Sequence, residues 1–317
     1  MSLFYDVLVT LGTLVIFGLA AELVTRGTEK LESIAGQGFA GGVLLGFMAA
    51  LPETIFVIIA TIHGSTQIAI GTALGGNIIL FTAGLGLIAM AYFAKWKREV
   101  VMKEDYHVEY GFLLFSTLML FALLAYGRLD AITGTLMLLT YVVYVAYRYS
   151  KAHKDVMHHM STTVGKRSIT QGLLLMAIGI AVIAIFSDAF IGALSGIAGA
   201  LSIPALWLAL VITPIASDLE ELLTAYRIST RARGGGSTAI VSFIGSKLQN
   251  NTVLIGLIGI LSAEPVLLSS STIAFATVII VNLIALLVMR KGRLTYRDGI
   301  ALSLIYAIAI IANLIIK

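Results

Sequence analysis

The sequence predicts an all-α integral membrane protein whose ten transmembrane helices form two inverted five-helix repeats. Three observations lead to this fold class: a very apolar composition, ten apolar windows of membrane-spanning length, and a polar stretch that divides these windows five and five. Of the 317 residues, 59% are hydrophobic and only 12% are charged. Soluble domains carry about 45–50% apolar and about 25% charged residues. So little charge cannot cover a water-soluble particle.

The composition excludes several other classes of protein. Intrinsic disorder, a secreted disulfide scaffold and a nucleic-acid module do not fit a chain with this much apolar surface and no cysteine. The absence of cysteine also excludes thiolate metal sites and cysteine nucleophiles. The chain has no H-E-x-x-H, G-x-S-x-G or P-loop motif. We therefore expect no enzymatic activity, no cofactor and no nucleic-acid partner.

Ten windows are long and apolar enough to be transmembrane helices. A helix needs about 20 mainly apolar residues to cross the hydrocarbon core. None of the windows is expected to be a strand, because an open sheet edge cannot lie in lipid. The windows are residues 4–25, 39–62, 67–93, 110–126, 129–148, 170–191, 203–226, 236–261, 265–289 and 299–316.

Basic residues are divided unequally between the two sides of the predicted membrane. With the N-terminus outside, 18 of the 21 lysines and arginines fall in inside connections, and the exceptions are Arg128, Lys247 and Lys317. Cytoplasmic loops are rich in Lys and Arg. The pattern predicts a multi-pass cell-membrane protein with both termini outside. It also assigns the net charge of +4 to loops rather than to a polyanion site.

A polar stretch over residues 150–168 separates the first five windows from the last five. It predicts a first five-helix repeat over residues 1–149, a cytoplasmic linker over 150–168 and a second repeat over 169–317. Because five is odd, a duplicated half must cross the membrane in the opposite sense. This is the inverted-repeat plan of secondary transporters.

Two sequence patterns indicate that the halves are duplicated. In the second window, small residues recur every four positions and Glu53 follows seven positions later, and in the seventh window the same spacing leads to Glu220. The run ending at Asn77 in the third window aligns with the run ending at Lys247 in the eighth. Seven residues are nearly two helical turns, so each glutamate shares a face with its small residues. Those small residues are Gly38, Gly42 and Gly46 in one half and Ala205, Ala209 and Thr213 in the other.

Four acidic residues lie five or more positions from either end of a predicted span, namely Glu53, Asp218, Glu220 and Glu221. A charge there costs at least about 2.5–3.5 kcal/mol, so it persists only where it faces protein, water or a partner. Consecutive acids point to different faces of a helix, so only some of the last three can face one site. Two facing carboxylates from opposite halves predict a hard-oxygen site for a divalent cation or protons. Structural ion pairing is the alternative interpretation.

At these residues the chain resembles the calcium/cation antiporter superfamily, which includes sodium/calcium and calcium/proton exchangers. That family has ten spans in two inverted repeats. Each repeat carries an acidic signature on its second helix and a G-S-N-type signature on its third. The runs that resemble these four elements, in order, are A-A-L-P-E at 49–53, G-G-N-I at 75–78, A-S-D-L-E-E-L at 216–222 and G-S-K-L at 245–248.

The resemblance implies roles for individual residues. Glu53 and Glu220 would be the central cation-binding carboxylates, and Asn77 would be an ancillary ligand. Asp218 and Glu221 are further candidate ligands of the same cation.

Lys247 stands where the family usually has Asn or Asp. An ammonium group has no acceptor, so it cannot ligate a metal ion. We expect Lys247 to form an ion pair with Glu220 or a neighbouring acid and to substitute for one bound monovalent cation. This substitution favours proton coupling over sodium coupling.

The resemblance and the acids together imply a secondary active antiporter. We expect it to exchange a divalent cation, Ca²⁺, for H⁺ or Na⁺ by alternating access at a midplane carboxylate site. Its partners would be the transported cations and the lipid bilayer. Two alternatives stay open: an inverted-repeat carrier of a small organic or anionic solute bound by Lys247, and an intramembrane enzyme using Asp218 with Glu220 or Glu221 as catalytic acids.

Overall fold

Apolar helices account for almost all of the fold. The computed structural model describes residues 2–35, 50–102, 106–156 and 166–315. In these ranges seven helices are long and apolar enough to cross a membrane, and Leu51–Ile62 and Ala205–Ile215 are shorter apolar helices. The helix over 235–261 is more polar because Lys247, Gln249 and two asparagines lie in its middle.

In the first half, the described residues form five helices and two short strands. In chain order they are α1 (Leu3–Ala35), α2 (Leu51–Ile62), α3 (Thr66–Trp96), β1 (Val100–Val101), α4 (His107–Tyr126), β2 (Arg128–Leu129) and α5 (Ala131–Val156). The predicted second window starts at residue 39, but residues 36–49, which include Gly38, Gly42 and Gly46, lie outside the described residues.

The second half repeats this order, with the described helix Ala205–Ser217 preceding the helix that matches α2. It contains α6 (Lys166–Leu201), α7 (Ala205–Ser217), α8 (Leu219–Arg231), α9 (residues 235–261), β3 (Val266–Leu267), α10 (Thr272–Arg290), β4 (Arg293–Leu294) and α11 (Tyr296–Ile315). A short 3₁₀ turn, Leu268–Ser271, precedes α10. The predicted linker lies partly at residues 157–165, outside the described residues.

The seventh predicted window, residues 203–226, contains a helix interruption. The chain leaves the helix at Asp218, so α7 and α8 are separate helices. Pro214 lies inside α7 and has no N–H to donate, which weakens the last turn of that helix.

Helix starts and π-helical segments relate the two halves. α2 starts at Leu51 after Ala50, which has φ −88° and ψ 5°, and α8 starts at Leu219 after Asp218, which has φ −93° and ψ −11°. In α3 the π-helical segment Leu80–Gly84 begins three residues after Asn77, and in α9 the segment Asn250–Leu254 begins three residues after Lys247.

The strands form two antiparallel pairs that each join one half to the other. β1 pairs with β4, with Val100 opposite Leu294, and β2 pairs with β3, with Arg128 opposite Leu267. β1 follows α3 and β3 follows α9, while β2 follows α4 and β4 follows α10, so the strands occupy matching places in the two halves. The duplication therefore maps one pair onto the other, and we name the two ends of the bundle the β1–β4 end and the β2–β3 end.

Helices α1 and α6 pack against each other over most of their length. A Cβ on Gly27 would lie 2.6 Å from the Gly172 carbonyl oxygen, and a Cβ on Gly179 would lie 2.6 Å from the Ala20 carbonyl oxygen. Such close backbone contacts need glycine at both positions. Phe17 and Phe190 from this pair meet Phe56 of α2 in edge-to-face ring contacts with centroids 5.2–6.0 Å apart.

A candidate cation site between the repeats

The acidic side chains of the site come from the first turns of α2 and α8. Leu51-Pro52-Glu53 begins α2 and Leu219-Glu220-Glu221 begins α8, so the helix starts align Glu53 with Glu221. A helix N-terminus favours negative charge. The sequence pattern aligns Glu53 with Glu220 instead, because that alignment counts seven residues from the small residues of each half, which in the second half lie in α7.

Lys247 lies among the acids of the site. Its Nζ atom is 2.7 Å from Oδ1 of Asp218 and 3.8 Å from Oε2 of Glu53. All three side chains are buried, with exposed fractions of 0% for Lys247, 1% for Asp218 and 3% for Glu53. The expected ion pair between Lys247 and an intramembrane acid is therefore present, with Asp218 and Glu53 as its partners.

Two serines, which the sequence did not single out, hold the glutamates of the site. Ser217 donates a hydrogen bond to Oε1 of Glu53 at 2.7 Å, and Ser246 donates one to Oε2 of Glu221 at 3.0 Å. Each serine is next to a residue of the ion pair in the sequence, which is the signal that could have identified both. One oxygen each of Glu53, Asp218 and Glu221 accepts no hydrogen bond from the described residues.

Glu220 points away from the ion pair. Its Oε2 accepts a hydrogen bond from Thr25 of α1 and its Oε1 accepts one from Thr224 of α8, both at 3.0 Å. Of the expected partners of Lys247, the neighbouring acids Asp218 and Glu53 form the ion pair rather than Glu220. Asp218 and Glu221 are three residues apart and share a face, whereas Glu220 lies on another face of the same helical turn.

Asn77 lies on the other side of Lys247, in a group of buried polar side chains. Its amide nitrogen donates to Oδ1 of Asn251, whose own amide donates to Ser116 at 3.1 Å. The Asn77 Oδ1 atom accepts no hydrogen bond among the described residues. An unpartnered buried amide oxygen is a suitable hard ligand for a cation.

Gly76 allows the ion pair to approach α3. A Cβ at this position would lie 2.7 Å from the Lys247 Nζ atom, 2.8 Å from Asn250 and 2.9 Å from the Asp218 Oδ2 atom. Any side chain at Gly76 would displace these groups, so glycine is required for the close approach.

A small cavity of about 20 Å³ lies beside Glu53, enough for one water molecule. It lies between the α1–α6 pair and the helices that carry the site. Within the ranges that the structure describes, no three His, Asp or Glu side chains converge to chelate a metal ion. The residues that line the cavity are Phe17, Ala21, Pro52, Glu53, Phe56, Thr72, Ile183, Phe190, Thr213 and Ser217.

The chain shares its fold with two solved structures that are described as cation exchangers. The chain superposes on a structure described as the H⁺/Ca²⁺ exchanger CAX with a TM-score of 0.81 and 20% identity, over 97% of this chain and 86% of that one. It superposes on the sodium-calcium exchanger NCX_Mj with a TM-score of 0.66 and 18% identity, over 98% and 99% of the two chains. These matches confirm the predicted ten-helix fold of two inverted repeats.

Two curated proteins are related to the chain by sequence. The vacuolar calcium ion transporter of Schizosaccharomyces pombe is 23% identical over 92% of this chain and 75% of its own length. The inner membrane protein YrbG of Escherichia coli is 23% identical over 68% of this chain and 67% of its own. The family model described as sodium/calcium exchanger protein matches residues 5–150 and 171–315. The chain is a multi-pass membrane protein that belongs to the sodium/calcium exchanger family.

Proposed function

We propose that the protein is a secondary active antiporter that exchanges Ca²⁺ for H⁺ or Na⁺ by alternating access, with H⁺ the favoured counter-ion. The observation that carries this proposal is the equivalence of Glu53 and Glu221. These two carboxylates begin α2 and α8, the matching helices of inverted halves, and they lie beside one buried ion pair. We assign them as the divalent-cation ligands, with Asn77 as an ancillary ligand.

The charge of the site matches one divalent cation. Glu53, Asp218 and Glu221 carry three negative charges when ionised and Lys247 carries one positive charge, which leaves a net charge of −2. If only Glu53 and one further acid were counted with Lys247, the net charge would be −1. The third acid makes the difference, because Asp218 forms the ion pair with Lys247. Because Asp218 neutralises Lys247, the two glutamates together balance one divalent cation.

Lys247 is placed to substitute for a monovalent cation. Its ammonium group is 3.8 Å from Glu53, on the side away from the hydrogen bond that Ser217 donates. A divalent cation at Glu53 would repel this ammonium, so the lysine would then remain with Asp218 alone. A built-in cation leaves less room for a second transported metal ion, and this favours protons as the counter-ion.

The names of similar proteins support Ca²⁺ as the substrate and leave both counter-ions in use. CAX is described as an H⁺/Ca²⁺ exchanger, NCX_Mj as a sodium-calcium exchanger and the fission-yeast relative as a calcium ion transporter. The anionic-solute alternative has less support, because Lys247 is neutralised by Asp218. The intramembrane enzyme has less support, because the family consists of transporters.

We also propose the membrane orientation and domain limits given by the sequence. Both termini would be outside the cell, and the linker over residues 150–168 would be cytoplasmic between repeats 1–149 and 169–317. In this orientation the β1–β4 end of the bundle faces the cytoplasm.

Flux measurements on the purified protein test this function. Proteoliposomes are loaded with Ca²⁺ or Mn²⁺, and a proton or a sodium gradient is imposed separately. We expect divalent flux driven by the proton gradient in the wild type and none in Glu53→Gln or Glu221→Gln, since each variant removes one ligand charge but keeps the side-chain volume. Absence of divalent flux under both gradients would refute the exchanger, and unchanged flux in both variants would refute the site.

A further inference from the structure

Helices α1 and α6 form one unit at the edge of the cation site. Gly27 and Gly179 bring the two backbones into contact at two positions along the pair. The two helices therefore have little freedom to shift past each other. The cavity beside Glu53 lies between this unit and the rest of the bundle, and Ala21 of α1 lines it. Opening the cavity toward either end therefore requires the α1–α6 unit to move relative to α2 and α7.

Polar contacts between described residues join the α1–α6 unit to the helices of the site at two places. Thr25 of α1 donates to Glu220 of α8 at 3.0 Å, toward the β1–β4 end. At the other end of α2, His63 Nδ1 is 2.6 Å from Oδ1 of Asp188 in α6. The His63–Asp188 pair is about half exposed to solvent, with side-chain exposures of 49% and 64%. Of these contacts, the Thr25–Glu220 hydrogen bond is the one next to the cation site, because Glu220 precedes Glu221 in the sequence.

Glu220 and Glu221 are consecutive residues in the first turn of α8, so their side chains point about 100° apart. Glu221 contacts Ser246 in the site, and Glu220 contacts Thr25 in α1. α8 starts after the interruption at Asp218, so its first turn is not held by a continuous helix. A displacement of this turn when a cation binds Glu221 would move Glu220 by the same amount.

We propose that Glu220 is a positioning residue that transmits occupancy of the cation site to α1 through Thr25, and that it is not itself a ligand of the transported cation. The inference rests on the proposed antiport function. The Thr25–Glu220 hydrogen bond holds the α1–α6 unit in register with the first turn of α8. Breaking this bond slows the conformational step of exchange and leaves cation affinity unchanged.

Substitutions on the two sides of Glu220 separate this role from simple structure. Thr25→Val removes the hydrogen bond from α1, whereas Thr224→Val removes the hydrogen bond from within α8 on the same carboxylate. We expect Thr25→Val and Glu220→Gln to lower the maximal Ca²⁺ exchange rate by at least about 10-fold with KM unchanged. Thr224→Val should match the wild type, and Thr25→Ser should restore the rate.

A labelling measurement gives a readout that does not depend on transport. The chain has no cysteine, so Ala21→Cys introduces a single thiol on α1 beside the cavity. We expect Thr25→Val, but not Thr224→Val, to raise the rate at which a membrane-impermeant maleimide labels this thiol.

Each contrary result has a distinct meaning. If Glu220→Gln weakens Ca²⁺ binding as Glu221→Gln does, measured by calorimetry, Glu220 is a ligand and the proposal is overturned. If Thr25→Val leaves both the exchange rate and the labelling rate at wild-type values, the contact transmits nothing and the proposal is also overturned. A wild type that exchanges no divalent cation refutes the antiport function instead, and labelling still decides whether Thr25 and Glu220 position α1.

Discussion

Asp218 and Lys247 are the two residues that make the halves of the site differ in charge. Their counterparts in the first half, at the matching helix start and the matching π-helical segment, are Ala50 and Asn77. One half therefore has two uncharged residues where the other has a buried ion pair. We expect the protein to tolerate the two charges only together, because either charge alone would be buried without an opposite charge beside it.

A double-mutant cycle tests this dependence. Removing one partner of a buried ion pair costs about 3–5 kcal/mol, whereas replacing both is often nearly neutral. We expect Asp218→Ala and Lys247→Asn each to lower the melting temperature strongly and the double variant to recover most of the loss. Added Na⁺ should stabilise the single Lys247→Asn variant, because Na⁺ can then occupy the ammonium position, and exchange should become sodium-dependent. Additive losses in the double variant, or no effect of Na⁺, would contradict this account.

The residues of the site were predictable as a set but not in their pairing. A charge inside an apolar span is rare enough that Glu53, Asp218, Glu221 and Lys247 stand out in the sequence alone. Which acid faces which depends on the residue where α8 begins, and an error of one residue turns a side chain by about 100°. The seven-residue spacing from small residues therefore selected Glu220, which contacts α1 instead.

At the scale of elements, the apolar windows located the helices but not their interruptions. The window over 170–191 corresponds to α6, which extends to Lys166–Leu201 because its ends are helical beyond the most apolar stretch. The interruption at Asp218 and the π-helical segments in α3 and α9 have no signal in hydropathy, which averages over many residues. Both kinds of irregularity lie at the site, where local rules of helix formation are most often broken.

The α1–α6 contact gives a prediction at this scale. Gly179→Val should separate the two helices, because even a Cβ at this position would lie 2.6 Å from the Ala20 carbonyl oxygen. Overpacking of this kind costs typically about 1–3 kcal/mol. Gly192→Val is the matched control on the same helix, since a Cβ there meets nothing within 4 Å. We expect a lower melting temperature in detergent for the first variant alone, and equal melting temperatures would show that the contact is not close in solution.

At the scale of the whole molecule, the duplication extends to the capping of corresponding helices. Asp130 accepts hydrogen bonds from the backbone N–H of Thr133 at the start of α5, and Asp298 accepts one from the N–H of Thr295 at the start of α11. The acid comes first in one half (Asp130 before Thr133) and the hydroxyl comes first in the other (Thr295 before Asp298). Each pair nevertheless caps the last helix of its repeat. The hydrogen bond from the Thr133 N–H is the main reason that the pKa of Asp130 lies below its usual value.

The two strand pairs have a consequence for how the chain can be divided. Each pair joins a connection in the first half to one in the second, and both are extended by a backbone hydrogen bond, Met102 N–H to Gly292 at one end and Leu268 N–H to Gly127 at the other. The halves are thus fastened to each other at both ends of the bundle, without help from the linker. A gene split within residues 157–165 should therefore yield two polypeptides that assemble when co-expressed.

Co-purification of an untagged second half with a tagged first half measures this assembly. Leu268→Pro serves as the control, because proline removes the N–H that Leu268 donates to Gly127. We expect co-purification of the split pair and a lower yield with the proline, whereas halves that never associate would show that the linker is required. If the split pair assembles, each half helps the other to adopt its fold. The single chain is then equivalent to a heterodimer in which a linker covalently joins two ancestral subunits.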